Sequence, residues 1–159
     1  MKQCKNNAVV GQSGGPTSAI NATLAGVIRG AISAREHGEL GTLYGMYNGI
    51  EGLLSERLVD LLSVFDEESK IDALALTPAA ALGSCRKKLK PVTEDAMTYR
   101  RLFEIFEAYD IHFFFYIGGN DSMDTVAKLS AYAETVSYPL TVVGVPKTID
   151  NDLALTDHT

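Results

Sequence analysis

Two short apolar runs joined by a helical stretch constrain the fold of this chain more than any other feature. Residues 112–117 and 141–145 are too short for buried helices and are rich in β-forming side chains, so we predict a strand in each. Between them, after Gly118-Gly119, apolar residues recur at helical spacing. Strand, helix and strand in this order form a βαβ unit with parallel strands. The carboxyl edge of that sheet, where ligands bind in open α/β folds, then carries two polar loops.

The rest of the chain continues this alternation. Residues 7–11 and 43–46 have the composition of buried strands, and an amphipathic helix is predicted from Pro16-Thr17 to His37-Gly38. A second helix is predicted over residues 66–76.

A third helix is expected to begin after Thr93, a good capping residue, and to present an aromatic stripe inward. The glycine-rich stretch 45–52 is irregular or a short helix, and residues 79–91 are expected to be a loop. We therefore predict an α/β fold of three layers, with a mostly parallel sheet and helices on both faces.

Composition excludes several classes of function. The chain has 159 residues, enough for one domain, and a formal net charge of −6, which argues against binding nucleic acid or a membrane surface through bulk electrostatics. Two cysteines, Cys4 and Cys85, are too few for a disulfide framework and lack metal-site spacing. With no signal peptide and no apolar run near 18 residues, a cytoplasmic location is expected.

Two glycine pairs precede predicted helices and suggest phosphate sites. Gly14-Gly15 and Gly118-Gly119 would each present backbone N–H groups at the positive end of a helix. Neither spacing fits a standard nucleotide fingerprint, and glycines at such turns often serve chain geometry alone. The basic stretch Arg86-Lys87 likewise has two interpretations, a solvated surface or a phosphate clamp.

The loop after the last strand contains the strongest candidates for chemistry. Lys147, Thr148, Asp150 and Asp152 follow directly on a strand end. Carboxylates gathered at this edge could deprotonate a hydroxyl or hold Mg²⁺. A turn stabilised by Asx-type hydrogen bonds has the same composition, so the residues alone leave both interpretations open.

Four segments taken together resemble the phosphofructokinase family, and more closely its pyrophosphate-dependent branch. The likeness spans essentially the whole chain in the family's order and spacing. The segments that carry it are Gly14-Gly15-Pro16-Thr17 with Asn21, Leu82-Gly83-Ser84-Cys85-Arg86, Gly118-Gly119-Asn120-Asp121-Ser122, and Pro146-Lys147-Thr148-Ile149-Asp150-Asn151-Asp152.

The resemblance implies a phosphotransferase that moves a phosphoryl group from a donor to the 1-hydroxyl of fructose 6-phosphate, in glycolysis. Asp150 matches the family's general base, and Thr148, Ile149 and Asp152 match positions at the sugar phosphate. The residues that match the side of the phosphate donor are Gly14, Gly15, Arg86 and Ser122.

Asp121 and Lys147 are the positions that decide the donor within the family. ATP-using members that resemble this chain carry glycine at both places. Here an aspartate would crowd and repel the α-phosphate of a nucleotide, while a lysine could neutralise pyrophosphate. We therefore expect pyrophosphate as the donor, with Asp121, Lys147 and Asp150 as the catalytic group.

Mg²⁺ is the cofactor that the resemblance implies. The family's usual metal-binding aspartate is replaced here by Asn120, so Asn120 with Asp121 is the expected metal pair. The resemblance also implies that residues 1–159 are the donor-binding lobe of a longer two-lobed protein, a homo-oligomer at full length. An ATP-dependent or sugar-promiscuous relative and a non-catalytic subunit with the same fold are the alternatives.

Overall fold

A five-stranded sheet forms the centre of the computed structural model, which describes residues 6–147. The strands are β1 (Asn7–Gln12), β2 (Leu43–Met46), β3 (Leu58–Asp60), β4 (Ile111–Gly118) and β5 (Thr141–Pro146). The helices are α1 (Ile20–Glu36), α2 (Gly49–Leu54), α3 (Leu61–Val64), α4 (Glu68–Leu76), α5 (Ala96–Ala108) and α6 (Asn120–Thr135).

The strand order is β3-β2-β1-β4-β5, and every pairing except that of β2 with β3 is parallel. β1 and β4 lie side by side in the middle, with Gln12 opposite Ile117 at their carboxyl ends. β5 pairs with the other side of β4, and Pro146 lies opposite Gly118. The carboxyl ends of β1, β4 and β5 therefore lie at the same edge of the sheet.

Two apolar layers, one on each face of the sheet, confirm the predicted three-layer α/β fold. Residues of β1 divide between them: Ala8 and Val10 pack with α1, α3 and α4, whereas Val9 packs with α2, α5 and α6. The second layer is rich in aromatic side chains, of which Phe106 and Phe114 are fully buried and in edge-to-face contact. Each such burial contributes about 1.5–3 kcal/mol before the loss of chain entropy.

Two local predictions are wrong, and one strand was not predicted. The first helix begins at Ile20 rather than at Pro16-Thr17, after a turn in which Ser13 and Gly14 donate to the carbonyls of Ile117 and Cys85. The third helix is capped by Asp95 rather than Thr93, since the Asp95 carboxylate accepts from the backbone N–H of Thr98 at 3.2 Å. The short antiparallel strand β3 was not predicted.

None of the helices within residues 6–147 combines the length and the apolar character needed to cross a membrane.

Candidate active site

A pocket of ≈ 550 Å³ opens at the carboxyl edge of the sheet. Its walls come from four segments: the turn after β1, a loop between α4 and α5, the start of α6, and the end of β5. The lining residues are Ser13, Gly14, Gly15, Pro16, Thr17, Cys85, Arg86, Lys87, Gly119, Asn120, Asp121, Ser122 and Lys147. The pocket therefore gathers residues that are up to 134 positions apart in the sequence.

The turn after β1 is fixed against the loop between α4 and α5. Gly14 has φ +77°, a conformation that glycine adopts without strain. Its N–H donates to the carbonyl of Cys85 at 3.1 Å, and its own carbonyl accepts from the Ser84 hydroxyl. The prediction of an accessible N–H at Gly14 is therefore wrong, because that donor is already used to shape the pocket.

The turn after β4 leads directly into α6, as predicted. Gly119 is the extended N-cap residue, and Gly118 is packed so closely that an added Cβ would lie 2.0 Å from the hydroxyl oxygen of Ser122. Ser122 is buried, whereas Asn120 and Asp121 lie exposed in the first turn. Asp121 does not cap the helix. The positive end of the α6 dipole consequently faces the pocket.

Lys147 reaches across the pocket from the end of β5. Its backbone N–H donates to Gly118 at 2.9 Å, which continues the pairing of β4 with β5. Its ammonium donates to the carbonyl of Gly15, on the far wall. Partial burial and then the positive charge of Arg86 lower the pKa of Lys147 from the usual 10.5. A bound anion would relieve both costs, because it offers the ammonium a counter-charge.

Asp121 pairs with Lys88, a residue of the basic stretch to which the sequence gave no individual role. The ammonium of Lys88 lies 2.8 Å from the Asp121 carboxylate, and this hydrogen bond is the main cause that raises the pKa of Lys88. Both side chains are well exposed, at 68% and 61%, so the pair contributes little to folding stability. Its effect is local: it connects two walls of the pocket.

Among residues 6–147, cations outnumber anions around this pocket, although the chain as a whole is acidic. In that part of the chain, Arg86, Lys87 and Lys147 line the pocket together with one carboxylate, that of Asp121. Three cations next to a helix N-terminus suit a small, highly charged anion such as a phosphate or diphosphate. The sequence offered Lys87, together with Arg86, as a possible phosphate clamp, and both residues line the pocket. Ser13 was not identified, because its contribution depends on how its loop folds.

The structure brings together the predicted residues that it describes. Those are Gly14, Gly15, Arg86, Asn120, Asp121, Ser122 and Lys147. The remaining predicted site residues, Thr148, Ile149, Asp150 and Asp152, lie outside the described residues.

Comparison with known proteins identifies the family. A family profile described as phosphofructokinase matches residues 7–159, which is nearly the entire chain. The chain belongs to the phosphofructokinase family. A phosphofructokinase of known structure, the pyrophosphate-dependent enzyme from Nitrosospira multiformis, superimposes with a TM-score of 0.85 at 45% identity, over 97% of this chain and 36% of that one.

Two sequence relatives carry the name pyrophosphate–fructose 6-phosphate 1-phosphotransferase. The protein from Halomonas elongata is 48% identical over 155 residues, which are 97% of this chain and 36% of that protein. The protein from Xanthomonas campestris pv. campestris is 50% identical over 151 residues, which are 95% of this chain and 34% of that protein. This phosphofructokinase chain thus spans about a third of the length of the relatives it matches.

The donor set at the pocket limits how this phosphofructokinase chain could hold a metal ion. Among residues 6–147, no three side chains of His, Cys, Asp or Glu are grouped as a metal site. Asp121 offers one carboxylate, which is paired with Lys88, and Asn120 offers an amide oxygen. Mg²⁺ commonly takes one or two protein ligands and completes its shell with water and substrate phosphates. Asn120 and Asp121 could therefore supply one or two ligands to a Mg²⁺ ion that the substrate phosphates also bind, but they would not hold the ion by themselves.

Proposed function

We propose that this chain is the donor-binding lobe of a pyrophosphate-dependent 6-phosphofructokinase, which transfers a phosphoryl group from pyrophosphate to the 1-hydroxyl of fructose 6-phosphate. The observation that carries the proposal is the convergence of Lys147, Arg86 and Asp121 on one cationic pocket. The names of the relatives from Halomonas elongata and Xanthomonas campestris support the same reaction.

Pyrophosphate is the donor because the cations of the pocket attract a small, highly charged anion, whereas its carboxylate repels a nucleotide. Lys147 and Arg86 would neutralise the phosphoryl oxygens, and the N-terminus of α6 would add backbone donors. The Asp121 carboxylate lies on the same wall and would repel the additional phosphate of ATP. Since phosphoryl transfer depends mostly on positioning and charge neutralisation, these residues are sufficient for the donor side.

The acceptor side of the proposal follows from the resemblance of the segment after β5. Asp150 would accept the proton of the sugar 1-hydroxyl, which makes that oxygen a better nucleophile. Thr148, Ile149 and Asp152 would contact the sugar phosphate and orient this carboxylate. Lys147, at the end of β5, precedes this segment and lines the donor pocket, which supports a short distance between donor and acceptor.

Asn120 and Asp121 would hold Mg²⁺ jointly with the diphosphate, and the ion would offset part of the charge on the transferred group. We further propose that the full-length enzyme works as a homo-oligomer in the cytoplasm and has no nucleic-acid or membrane partner. The net charge of −6 supports the last part of this proposal.

The test is a comparison of donors with the full-length enzyme. Fructose 1,6-bisphosphate formation is measured with Mg-pyrophosphate and with Mg-ATP, at equal fructose 6-phosphate. We expect turnover with pyrophosphate and at least about a hundredfold lower kcat/KM with ATP, a difference of roughly 2.7 kcal/mol in transition-state stabilisation. Exclusive use of ATP would overturn the donor assignment, and absence of turnover with either donor would favour a non-catalytic subunit.

A further inference from the structure

Two fully buried amide side chains lie behind the donor pocket and belong to none of the roles assigned above. Gln12 is the last residue of β1, and Asn21 lies in the first turn of α1. Both have no exposed surface. Burying an amide is costly unless its donors and acceptors are all paired, so each buried amide has to be accounted for by its partners.

Every polar atom of the two amides is paired. The Gln12 Nε2 donates to Asn21 Oδ1 at 2.9 Å and to the Ile20 carbonyl at 3.3 Å. The Gln12 Oε1 accepts from the N–H of Leu82 at 2.9 Å. The Asn21 Oδ1 also accepts from the N–H of Ala81, and its Nδ2 donates to the Thr77 carbonyl, both at 2.9 Å. Together, Gln12 and Asn21 form what we call the amide relay.

Three of these five bonds end on the backbone of residues 77–90, which we call the basic loop. Most of this loop has no regular structure, so its backbone depends on individual partners: side chains, and the backbone N–H groups of Gly14 and Asn48, which donate to Cys85 and Leu82. The amide relay fixes its first half, at Thr77, Ala81 and Leu82. Four residues after Leu82 the same loop places Arg86 in the donor pocket.

The geometry points to Gln12 and Asn21 as positioning residues for the donor site. We infer that the amide relay sets the path of the basic loop, so that Arg86 meets the donor phosphate without the cost of ordering a loop on each binding event. The Arg86 side chain is exposed and is not held in place by packing, so its position depends on the backbone of the basic loop. This inference rests on the proposed function only through the role of Arg86.

The test uses the full-length enzyme with three variants. Asn21→Ala removes the centre of the relay. Asn21→Asp keeps the volume and the acceptor oxygen but loses the donor to Thr77, and it places a fully buried carboxylate oxygen against the Thr77 carbonyl. Asn7→Ala is the control, because the Asn7 amide likewise bonds to backbone groups, those of Tyr109 and Thr42, but at the opposite end of β1.

Hydrogen exchange tests the relay without reference to activity. Asn21→Ala should speed exchange in peptides covering residues 77–90 by roughly tenfold or more, while peptides from α6 keep their protection. Asn21→Asp should give at least as large an increase, because its buried carboxylate repels the Thr77 carbonyl, and Asn7→Ala should leave the basic loop unchanged. If the basic loop exchanges at the wild-type rate in Asn21→Ala, the inference is overturned, whichever donor the enzyme uses.

A double-mutant cycle with Arg86→Ala tests the positioning role. We expect Asn21→Ala to raise the KM for the donor roughly fivefold with a smaller change in kcat, and to have little further effect once Arg86 is gone. Additive effects would overturn the inference, since a purely structural loss does not depend on Arg86. If the wild-type enzyme uses ATP and not pyrophosphate, the proposed function fails, and the same cycle measured with ATP still decides the role of the relay.

Discussion

Lys88 and Asp121 form an ion pair of 2.8 Å that joins the basic loop to the first turn of α6. The carboxylate lines the donor pocket, whereas the ammonium approaches from outside the lining. Asp121 therefore presents less repulsion to a small anion than an isolated aspartate would. Because Lys88 partly neutralises Asp121, pyrophosphate can bind despite a carboxylate in the pocket wall. The remaining repulsion acts mainly on a bulkier, more highly charged nucleotide.

Removal of the Lys88 ammonium should weaken pyrophosphate binding. In Lys88→Ala, the Asp121 charge is uncompensated, and we expect the KM for pyrophosphate to rise roughly threefold at low salt and less at high salt. Lys70→Ala is the control, since Lys70 makes a comparable exposed pair with Asp66 at 2.5 Å, away from the pocket. Equal KM values for the two variants would show that Lys88 does not act through Asp121.

Asp121→Gly should relax the choice of donor. Loss of the carboxylate removes the group that repels a nucleotide, so measurable turnover with ATP is expected, together with a change of roughly tenfold or more in the ratio of kcat/KM values for the two donors. Steady-state kinetics with each donor measures this ratio. An unchanged ratio would remove Asp121 from the explanation of donor specificity.

As pH rises, kcat/KM for pyrophosphate should begin to fall at a lower pH than it would with a lysine of ordinary pKa. The pKa of Lys147 lies below 10.5, so the ammonium loses its proton, and with it its attraction for the donor, at lower pH than in the unfolded chain. Folding stability should change in the opposite direction. The partly buried ammonium of Lys147 lowers the stability at neutral pH, and this cost is relieved as pH rises through the pKa of the folded state.

The measurement is kcat/KM for pyrophosphate against pH in wild type and in Lys147→Arg. An arginine stays charged throughout, so its profile contains the ionisation of the substrate but not that of residue 147. We expect the wild-type profile to fall first. Superimposable profiles would contradict the proposed contact between Lys147 and the donor.

Asp150→Asn should abolish most of the activity without unfolding the protein. An amide cannot accept the hydroxyl proton, and loss of a general base costs about 10²–10⁴-fold in kcat. The assay is turnover of the full-length variant beside its thermal unfolding midpoint. Near-normal turnover at an unchanged midpoint would show that another group is the base.

Gly49→Ala should destabilise the fold beneath the pocket. Gly49 has φ +57°, and an added Cβ would lie 2.7 Å from the Tyr116 hydroxyl and 2.9 Å from the Cys85 sulfur. We expect a loss of about 1–3 kcal/mol. Gly26→Ala is the control, because its Cβ would meet open space within α1 and should stabilise the helix by roughly 0.5–1 kcal/mol. Thermal unfolding midpoints should therefore shift in opposite directions.

The sequence predicted the sheet well wherever a strand is a continuous apolar run. The strand at residues 43–46 has the predicted bounds, and β4 and β5 differ from prediction by one residue at their ends. β2 and β4 are largely buried and β5 is half-buried, and in each the run of apolar residues is enough to indicate a strand. β3 was missed because three half-buried residues carry no periodic signal, and its antiparallel pairing with β2 is a tertiary contact.

Local chemistry left the helix starts ambiguous. Both Thr93 and Asp95 can cap a helix, and the choice of Asp95 depends on the turn that begins at Pro91. Gln12 was not singled out for a related reason. A glutamine beside a glycine turn is typical of a solvated loop, and only the folding of the basic loop over β1 buries it and supplies its partners.

The residues proposed to select the donor, Asp121 in the first turn of α6 and Arg86 in the basic loop, lie outside both apolar layers. Asp121 and Arg86 are exposed, and their replacement leaves no cavity in either core. Substitutions there therefore incur little loss of folding stability, in contrast to changes at Phe106 or Phe114. A lineage with this scaffold could accordingly switch between phosphoryl donors through a few mutations, each tolerated on its own, while the sheet and its helices remain as they are.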